Sequence, residues 1–266
     1  MAGAERRLDV ALAELGLARS RSHAATVIAE GLVTVDGRPA VRAALKVTDG
    51  QNIQVAGADH YVSRGAHKLI AALDAFAVDP ACRVALDAGA STGGFSQVLL
   101  ERGAARVIAV DVGHGQLSPA LAAEERLASF EGVNVRSLTA EALAGLAGND
   151  VRPEIVVADL SFISLTQVLP ALVATAAPGA DFVLLIKPQF EVGRQGIREG
   201  VVRDAGLRAD AVSDVLWAAH DAGLGTAGLI ASPIAGGHGN REFLAWFRAG
   251  APDPSGLRDE VVRLTR

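Results

Sequence analysis

The sequence has one cysteine, Cys82, one methionine and one tyrosine in 266 residues. A lone thiol excludes any intrachain disulfide and any multi-cysteine metal site. It fits a reducing cytoplasm, where such a residue fills space more often than it reacts. Long apolar runs are absent too. No stretch approaches the roughly 18 uninterrupted apolar residues of a membrane span, and residues 1–30 carry charges throughout, so no signal peptide is expected. Positive charge is not in excess. The net charge is −5, which excludes a generic polyanion binder and confines any nucleic-acid contact to local basic patches. His238 lies beside glycines, but no second histidine stands at ligand spacing, so no metal is assigned.

What is present is apolar material, half of the residues, with plentiful alanine and glycine. That suits an α/β protein of one large domain and one small one. In the small part Leu8, Leu12 and Leu15 recur on one helical face that ends at Gly16. Ser20 can cap a second helix carrying Ala24, Val27 and Ile28 and closing at Gly31. Leu32–Val35 alternates as a strand before the tight turn Asp36-Gly37. Lys46-Val47 and Ile53–Val55 flank a second turn at Asp49-Gly50. Basic and acidic residues balance here, seven each through residue 60. Position matters more than sum: Arg6 and Arg7 precede the first helix, and Arg19-Ser20-Arg21 opens the second. A helix start flanked by arginines suits phosphate; a solvated charged face is the equal alternative.

The large part is organised around Asp87-Ala-Gly-Ala-Ser-Thr-Gly-Gly-Phe-Ser96. A short apolar strand precedes it and a helix follows. Gly89, Gly93 and Gly94 let backbone pass close to a ligand, with Ser91 and Thr92 between them. A second strand, Val107–Val110, ends in Asp111, placed for ribose hydroxyls. Neither the G-x-G-x-x-G nor the Walker pattern is present. Asp87 at a strand tip would repel a pyrophosphate and welcome an ammonium. Acid, glycines and second acid together suit S-adenosylmethionine.

Beyond Asp111 the rhythm of strand and helix continues. Pro119–Leu127 reads as a helix, Val133–Val135 as a strand and Glu141–Leu146 as a helix. Glu154–Asp159 is a strand ending in an acid, Leu165–Ala177 a helix, and Asp181–Lys187 a buried strand stopped by Pro188. Asp204–Ala222 reads as a helix and Thr226–Ile234 as a strand. A glycine turn from Gly236 leads to a final strand with Glu242 near its start. This predicts a mainly parallel, doubly wound sheet of Rossmann-like type, preceded by a small α+β domain. Asp87, Asp111, Asp159 and Lys187 then converge at the carboxyl ends of strands, where such sheets bind ligands. Arg194, Arg198 and Arg203 lie in a glycine-rich segment at that edge and suit substrate phosphates.

Arg7-Leu-Asp9, Leu12, Gly16, Ser20-Arg21, Ala24, Ile28, Gly31-x-Val33-x-Val35-x-Gly37 and Val47-x-x-Gly50-x-x-Ile53-x-Val55 resemble the S-four-type RNA-binding domain. Ser63-Arg-Gly-Ala-His-Lys68, the loop Asp87–Ser96, Ala158–Ser164, Lys187-Pro-Gln-Phe-Glu191 and Gly239-Asn-Arg-Glu242 resemble the TlyA family, often labelled haemolysin. That family joins the RNA-binding domain to an FtsJ-like methyltransferase domain. The resemblance implies a division into 1–57 for RNA, 58–62 as linker, 63–250 for catalysis and 251–266 as a tail or helix. It implies 2′-O-methylation of cytidine in 16S and/or 23S rRNA, on 30S and/or 50S subunits in the cytoplasm, with S-adenosylmethionine. It assigns Lys68, Asp159, Lys187 and Glu242 to a K-D-K-E tetrad, with Asp159 also beside the cofactor. It implies RNA contacts from Arg6, Arg7, Arg19, Ser20, Arg21, Arg64, Arg194 and Arg198. The tetrad also makes chemical sense by itself. A lysine has a reference pKa of about 10.4, and burial or a neighbouring ammonium lowers such a value toward general-base use. Rival readings are a non-catalytic ribosome-assembly factor, a small-molecule methyltransferase and a pore former, the last without any span to support it.

Overall fold

The computed structural model describes residues 5–15, 17–18, 20–48, 50–55, 60–148, 152–193, 196–197 and 199–266. They fall into two compact units, Met1–Tyr61 and Val62–Arg266. The first contains β1 (Arg6–Arg7), α1 (Leu8–Glu14), α2 (Arg21–Ala29), β2 (Val33–Val35), β3 (Arg38–Pro39), β4 (Lys46–Val47) and β5 (Ile53–Val55). The strands form a β3-β2-β5 sheet and a β1-β4 pair. Asp36 and Gly37 lie at φ 52° and 76°, the left-handed pair that a two-residue hairpin turn requires. The Asp36 carboxylate then accepts from Gln51 Nε2 and Asn52 N at 2.8 and 2.9 Å, fixing the entry to β5. Ser20 caps α2 by accepting from His23 N at 3.2 Å. Leu8, Leu12, Ala24, Ile28, Val33 and Val47 form the core. Leu15 does not join it: α1 stops at Glu14, and Leu15 lies past the last turn, 51% exposed. The expected helix end at Gly16 and turn residue Asp49 lie outside the described residues.

The second unit runs α3 (Ala66–Phe76), β6 (Val84–Ala88), α4 (Gly94–Glu101), β7 (Arg106–Asp111), β8 (Leu127–Glu131), α5 (Ala140–Ala147), β9 (Ile155–Ala158) and α6 (Leu165–Thr175). It continues with β10 (Asp181–Ile186), α7 (Pro188–Glu191), α8 (Ala205–Asp221), β11 (Gly225–Ala231), β12 (Phe243–Arg248) and α9 (Arg258–Thr265). The sheet order is β11-β12-β10-β9-β6-β7-β8. Strands β6 to β10 are parallel, and β12 is antiparallel to both neighbours. Ile155–Ala158 and Val183–Ile186 are buried without alternation, as strands covered on both faces must be.

Two features position the site. The chain winds outward from β6 through β7 to β8 and then returns to β9 on the other side, so the strand order reverses between β6 and β9, the point at which such sheets bind ligands. Strand β12 runs the opposite way, with Phe243 opposite Ile186. Glu242, just before β12, therefore comes to the same sheet edge as Lys187, just after β10.

One stretch departs from the sequence reading. Pro119–Leu121 makes a single 3₁₀ turn, and the edge strand is Leu127–Glu131, with Val135–Ser137 a further 3₁₀ turn. Alanine-rich residues 120–123 favour a helix locally. Pairing of Leu127–Glu131 with Val107–Asp111 along the sheet edge overrides that preference.

Arg208 on α8 ties that helix to the segment before it and to α9. Its buried guanidinium donates to the carbonyls of Val202, Arg203 and Thr265 at 3.0, 2.8 and 2.6 Å. Arg208→Ala orphans these acceptors, and a loss of about 2–4 kcal/mol in urea unfolding is expected. A change under about 0.5 kcal/mol would show that water replaces the guanidinium without cost.

Candidate active site

Lys68 stands in the first turn of α3, a poor place for an exposed cation. The structure buries it: its Nζ lies 2.7 Å from Glu242 Oε2 and 3.8 Å from Asp159 Oδ2. Asp159 leaves β9 and turns its other oxygen, Oδ1, to Lys187 Nζ at 2.6 Å. Lys187 also donates to Ser161 Oγ at 2.9 Å. Glu242 completes its pairing by accepting from Gln189 Nε2 at 3.2 Å on Oε1. The result is a row of alternating charge, Lys187, Asp159, Lys68, Glu242, in which each buried ion faces an opposite one. Buried charge is tolerable only in such pairing.

Several residues of this cluster were not singled out from sequence. Ser161 and Gln189 sit within quoted motifs without an assigned part. Gly236 matters because a Cβ there would stand 2.0 Å from Glu242 Oε1, so only glycine leaves room for the carboxylate. Phe162 is held at φ 64° and is 92% exposed. A bulky residue in the left-handed region is a strained outlier. Its ring lies 5.2 Å from that of Phe190, which in turn carries Lys187 Nζ 5.8 Å from its centroid.

The glycine-rich loop lies at the end of β6. Gly89 (φ 83°) passes so close to β9 that a Cβ would meet the Asp159 carbonyl oxygen at 2.9 Å. A Cβ on Gly94 would meet Ser63 Oγ at 2.3 Å, so the start of α4 packs on the segment leading into α3. Gly93 (φ 93°) faces Leu117 and Leu121. Ser91 is exposed and Thr92 half-buried; the Thr92 carbonyl accepts from Ser118 N at 3.2 Å. Asp111 is pinned by two backbone amides, Ser91 N at 2.8 Å and Gly113 N at 2.7 Å. Ser91 Oγ donates to Gln116 Oε1 at 3.0 Å, which brings Gln116 into the same rim.

Asp87 is not at an open tip. It is fully buried, because β6 runs one residue further and turns the side chain toward α4, where Ser96 Oγ donates to Oδ2 at 2.6 Å. Oδ1 has no partner among the described residues. Burial, with repulsion from Asp159 and Asp111 added, pushes this acid up to about 7 against the Ser96 hydrogen bond.

In the first unit the arginines carry their own counter-charges. Arg7 grips Asp9 with two bonds of 2.9 and 3.0 Å, and Arg21 approaches the same carboxylate at 3.5 Å. Arg6 pairs with Glu14 at 2.9 Å. Asp9 thus brings Arg7 and Arg21 together at the starts of α1 and α2, beside the Ser20 cap. Arg64 is exposed in the turn before α3. Arg19, Arg194 and Arg198 lie outside the described residues; Arg203 pairs with Glu199 at 3.0 Å.

Comparison with known proteins bears on this geometry. The FtsJ-like methyltransferase family matches residues 61–249, and the S4 domain matches residues 6–53. The 16S/23S rRNA (cytidine-2′-O)-methyltransferase TlyA of Mycobacterium tuberculosis is 49% identical over 263 residues, 97% of this chain and 96% of the relative. Hemolysin A of Brachyspira hyodysenteriae is 38% identical, over 91% of this chain and 99% of that protein. A hemolysin-named structure from Streptococcus thermophilus superposes with a TM-score of 0.78 at 37% identity, covering 99% of this chain and 96% of that one. Among the described residues, no helix is long and apolar enough to cross a membrane. A glycine loop and a paired-lysine cluster on one sheet edge, behind a small domain with paired arginines, agree with those matches: the chain belongs to the TlyA family, an S4 domain followed by an FtsJ-like methyltransferase domain.

Proposed function

We propose that this protein methylates the ribose 2′-OH of cytidine in 16S and/or 23S rRNA, using S-adenosylmethionine and acting on ribosomal subunits in the cytoplasm. The observation that carries the reading is the row Lys187–Asp159–Lys68–Glu242 beside the glycine loop. The activity for which the Mycobacterium tuberculosis relative is named agrees with it. In this reading residues 1–57 hold RNA through Arg6, Arg7, Arg19, Ser20 and Arg21. Residues 58–62 link, 63–250 catalyse with RNA contacts from Arg64, Arg194 and Arg198, and 251–266 are a C-terminal tail or helix.

The residues present fit the cofactor. Gly89, Gly93 and Gly94 let the loop pack against Asp159, Leu117, Leu121 and Ser63 where any Cβ would clash, which holds its backbone at the strand ends where such sheets bind a cofactor. Asp111 is oriented at the end of β7 by two amides, as a ribose-binding acid requires. Asp87 is buried beside the loop, so its unpartnered Oδ1 makes an electrostatic contact, not a hydrogen bond, with an amino-acid ammonium bound there. Bound there, S-adenosylmethionine supplies an electrophilic sulfonium methyl group.

The chain's own residues do the rest. Lys187 serves as the base: its ammonium first gives its own proton to solvent, and the amine so formed takes the proton of the 2′-OH. Asp159 faces the ammonium so formed and stabilises its charge as it appears. Lys68 directs a second positive charge at the developing oxygen anion, and Glu242 keeps it there. Holding hydroxyl and base in one geometry removes much of the entropic barrier. Exposed Phe162, backed by half-buried Phe190, offers a face on which a base can stack.

Four outcomes are expected. With labelled S-adenosylmethionine and unmodified 30S and 50S subunits, label should map to cytidine 2′-O. Lys187→Ala should lower turnover about 10²–10⁴-fold with cofactor affinity nearly intact; undiminished turnover would sink the base assignment. Phe162→Ala should weaken RNA kcat/KM about 10- to 100-fold without changing cofactor affinity; an unchanged kcat/KM removes the stacking face. An ammonium near Asp87 should expel its proton. Calorimetry at pH 6.5 in buffers of differing ionisation enthalpy should therefore show release of roughly half to one proton, vanishing above about pH 8.5. Affinity should rise with pH up to about 7 and then level. Buffer-independent heats would refute that contact.

A further inference from the structure

Gln189 is joined to the reaction centre in a way the tetrad alone does not describe. Its amide orientation is set by chemistry. Glu242 as a carboxylate can only accept, so Gln189 must turn Nε2 toward Oε1, at 3.2 Å. That leaves the Gln189 carbonyl oxygen buried, without a partner among the described residues. A buried acceptor left unpaired is costly, so this amide is a poor choice for packing alone. An apolar side chain of equal length would avoid the cost and lose only the bond to Glu242.

That bond has a geometric consequence. Glu242 offers two oxygens: Oε2 is 2.7 Å from Lys68 Nζ, and Oε1 is held by Gln189. Fixing one oxygen fixes the rotation of the carboxylate and therefore the place of Lys68. Lys68 has a competing partner in Asp159 Oδ2, at 3.8 Å. With Oε1 released, Glu242 can rotate away and Lys68 can drop toward Asp159. Gly236, whose absent side chain leaves room at Oε1, gives the carboxylate nothing to lean on from the other side. Gln189 also belongs to α7, two residues from Lys187 and next to Pro188, whose ring fixes the backbone φ. The contacts thus close a ring: Lys187 to Asp159, to Lys68, to Glu242, to Gln189 and back to Lys187 through one turn of backbone. Both lysines are referenced to the same rigid turn.

We propose that Gln189 is a positioning residue for methyl transfer, acting through Glu242 to keep Lys68 at a fixed distance from Lys187. The proposal rests on the tetrad reading above and deepens it. The test compares full-length Gln189→Met, Gln189→Glu and Glu242→Gln with the unaltered protein. Melting temperature, cofactor affinity, KM for the subunit, kcat and the pH profile are measured for each. Gln189→Met should melt at the same temperature or higher, keep cofactor affinity and KM within about twofold, and lose kcat by about 10- to 100-fold. In Gln189→Glu two facing carboxyl groups share a proton at low pH, and the protonated one can donate as the amide does. Its activity relative to the unaltered protein should therefore climb as pH falls and collapse as pH rises.

A lowered melting temperature together with weakened cofactor binding in Gln189→Met would mark a structural residue and overturn the proposal. So would full kcat in Gln189→Met while Glu242→Gln is impaired, or a Gln189→Glu profile parallel to that of the unaltered protein. Full activity of Glu242→Gln would instead overturn the tetrad reading itself, and this inference with it.

Discussion

Two lysine side chains share one buried cluster only because Asp159 stands between them. Its carboxylate gives one oxygen to each, at 2.6 and 3.8 Å. Without it, two neighbouring ammonium groups would repel in a poorly screened place, and one would leave or lose its proton. Glu242 supplies the second negative charge, so the row balances two cations with two anions. The neutrality is local and directional. Each charge is satisfied by an opposite one within the row.

The sheet exists in the form that makes this row possible. Parallel strands β6, β7, β9 and β10 bring their carboxyl ends to one edge, which collects Asp87, Asp111, Asp159 and Lys187. A purely parallel sheet would have sent the last strand's amino end to the opposite edge. Antiparallel β12 brings its amino end back, so Glu242 arrives from the far side of the sequence. The one reversed strand is what allows two strand exits and one strand entry to meet. Gly89 and Gly94 then let the cofactor-type loop close over the same edge without side chains in the way.

Much of this was legible in the residues. Apolar runs ending in Asp or Lys marked the strands and their chemical ends, and Asp36-Gly37 marked its hairpin. What escaped depended on partners distant in sequence. Leu127–Glu131 reads weakly as a strand because an edge strand is recognised by its neighbour. The burial of Asp87 follows from one extra residue of pairing. Gly236 reads as one more turn glycine until Glu242 is seen against it. Phe162 looks like core by type, and its exposure is imposed by a backbone in the left-handed region. The arginines of the first unit were readable as charge but not as pairs, since Asp9 draws Arg7 and Arg21 together only in three dimensions.

The place of β12 has a bearing on time. Lys68 and Glu242 are 174 residues apart in sequence, and β12 is the last strand to be synthesised, yet it lies between β10 and β11 rather than at an edge. The sheet must therefore hold a slot open, or form provisionally, until that strand inserts. Contacts of such long range are slow to form. The ionic row is a late event of folding: a chain still emerging from the ribosome has its glycine loop and three of the four ionic groups, but no completed row.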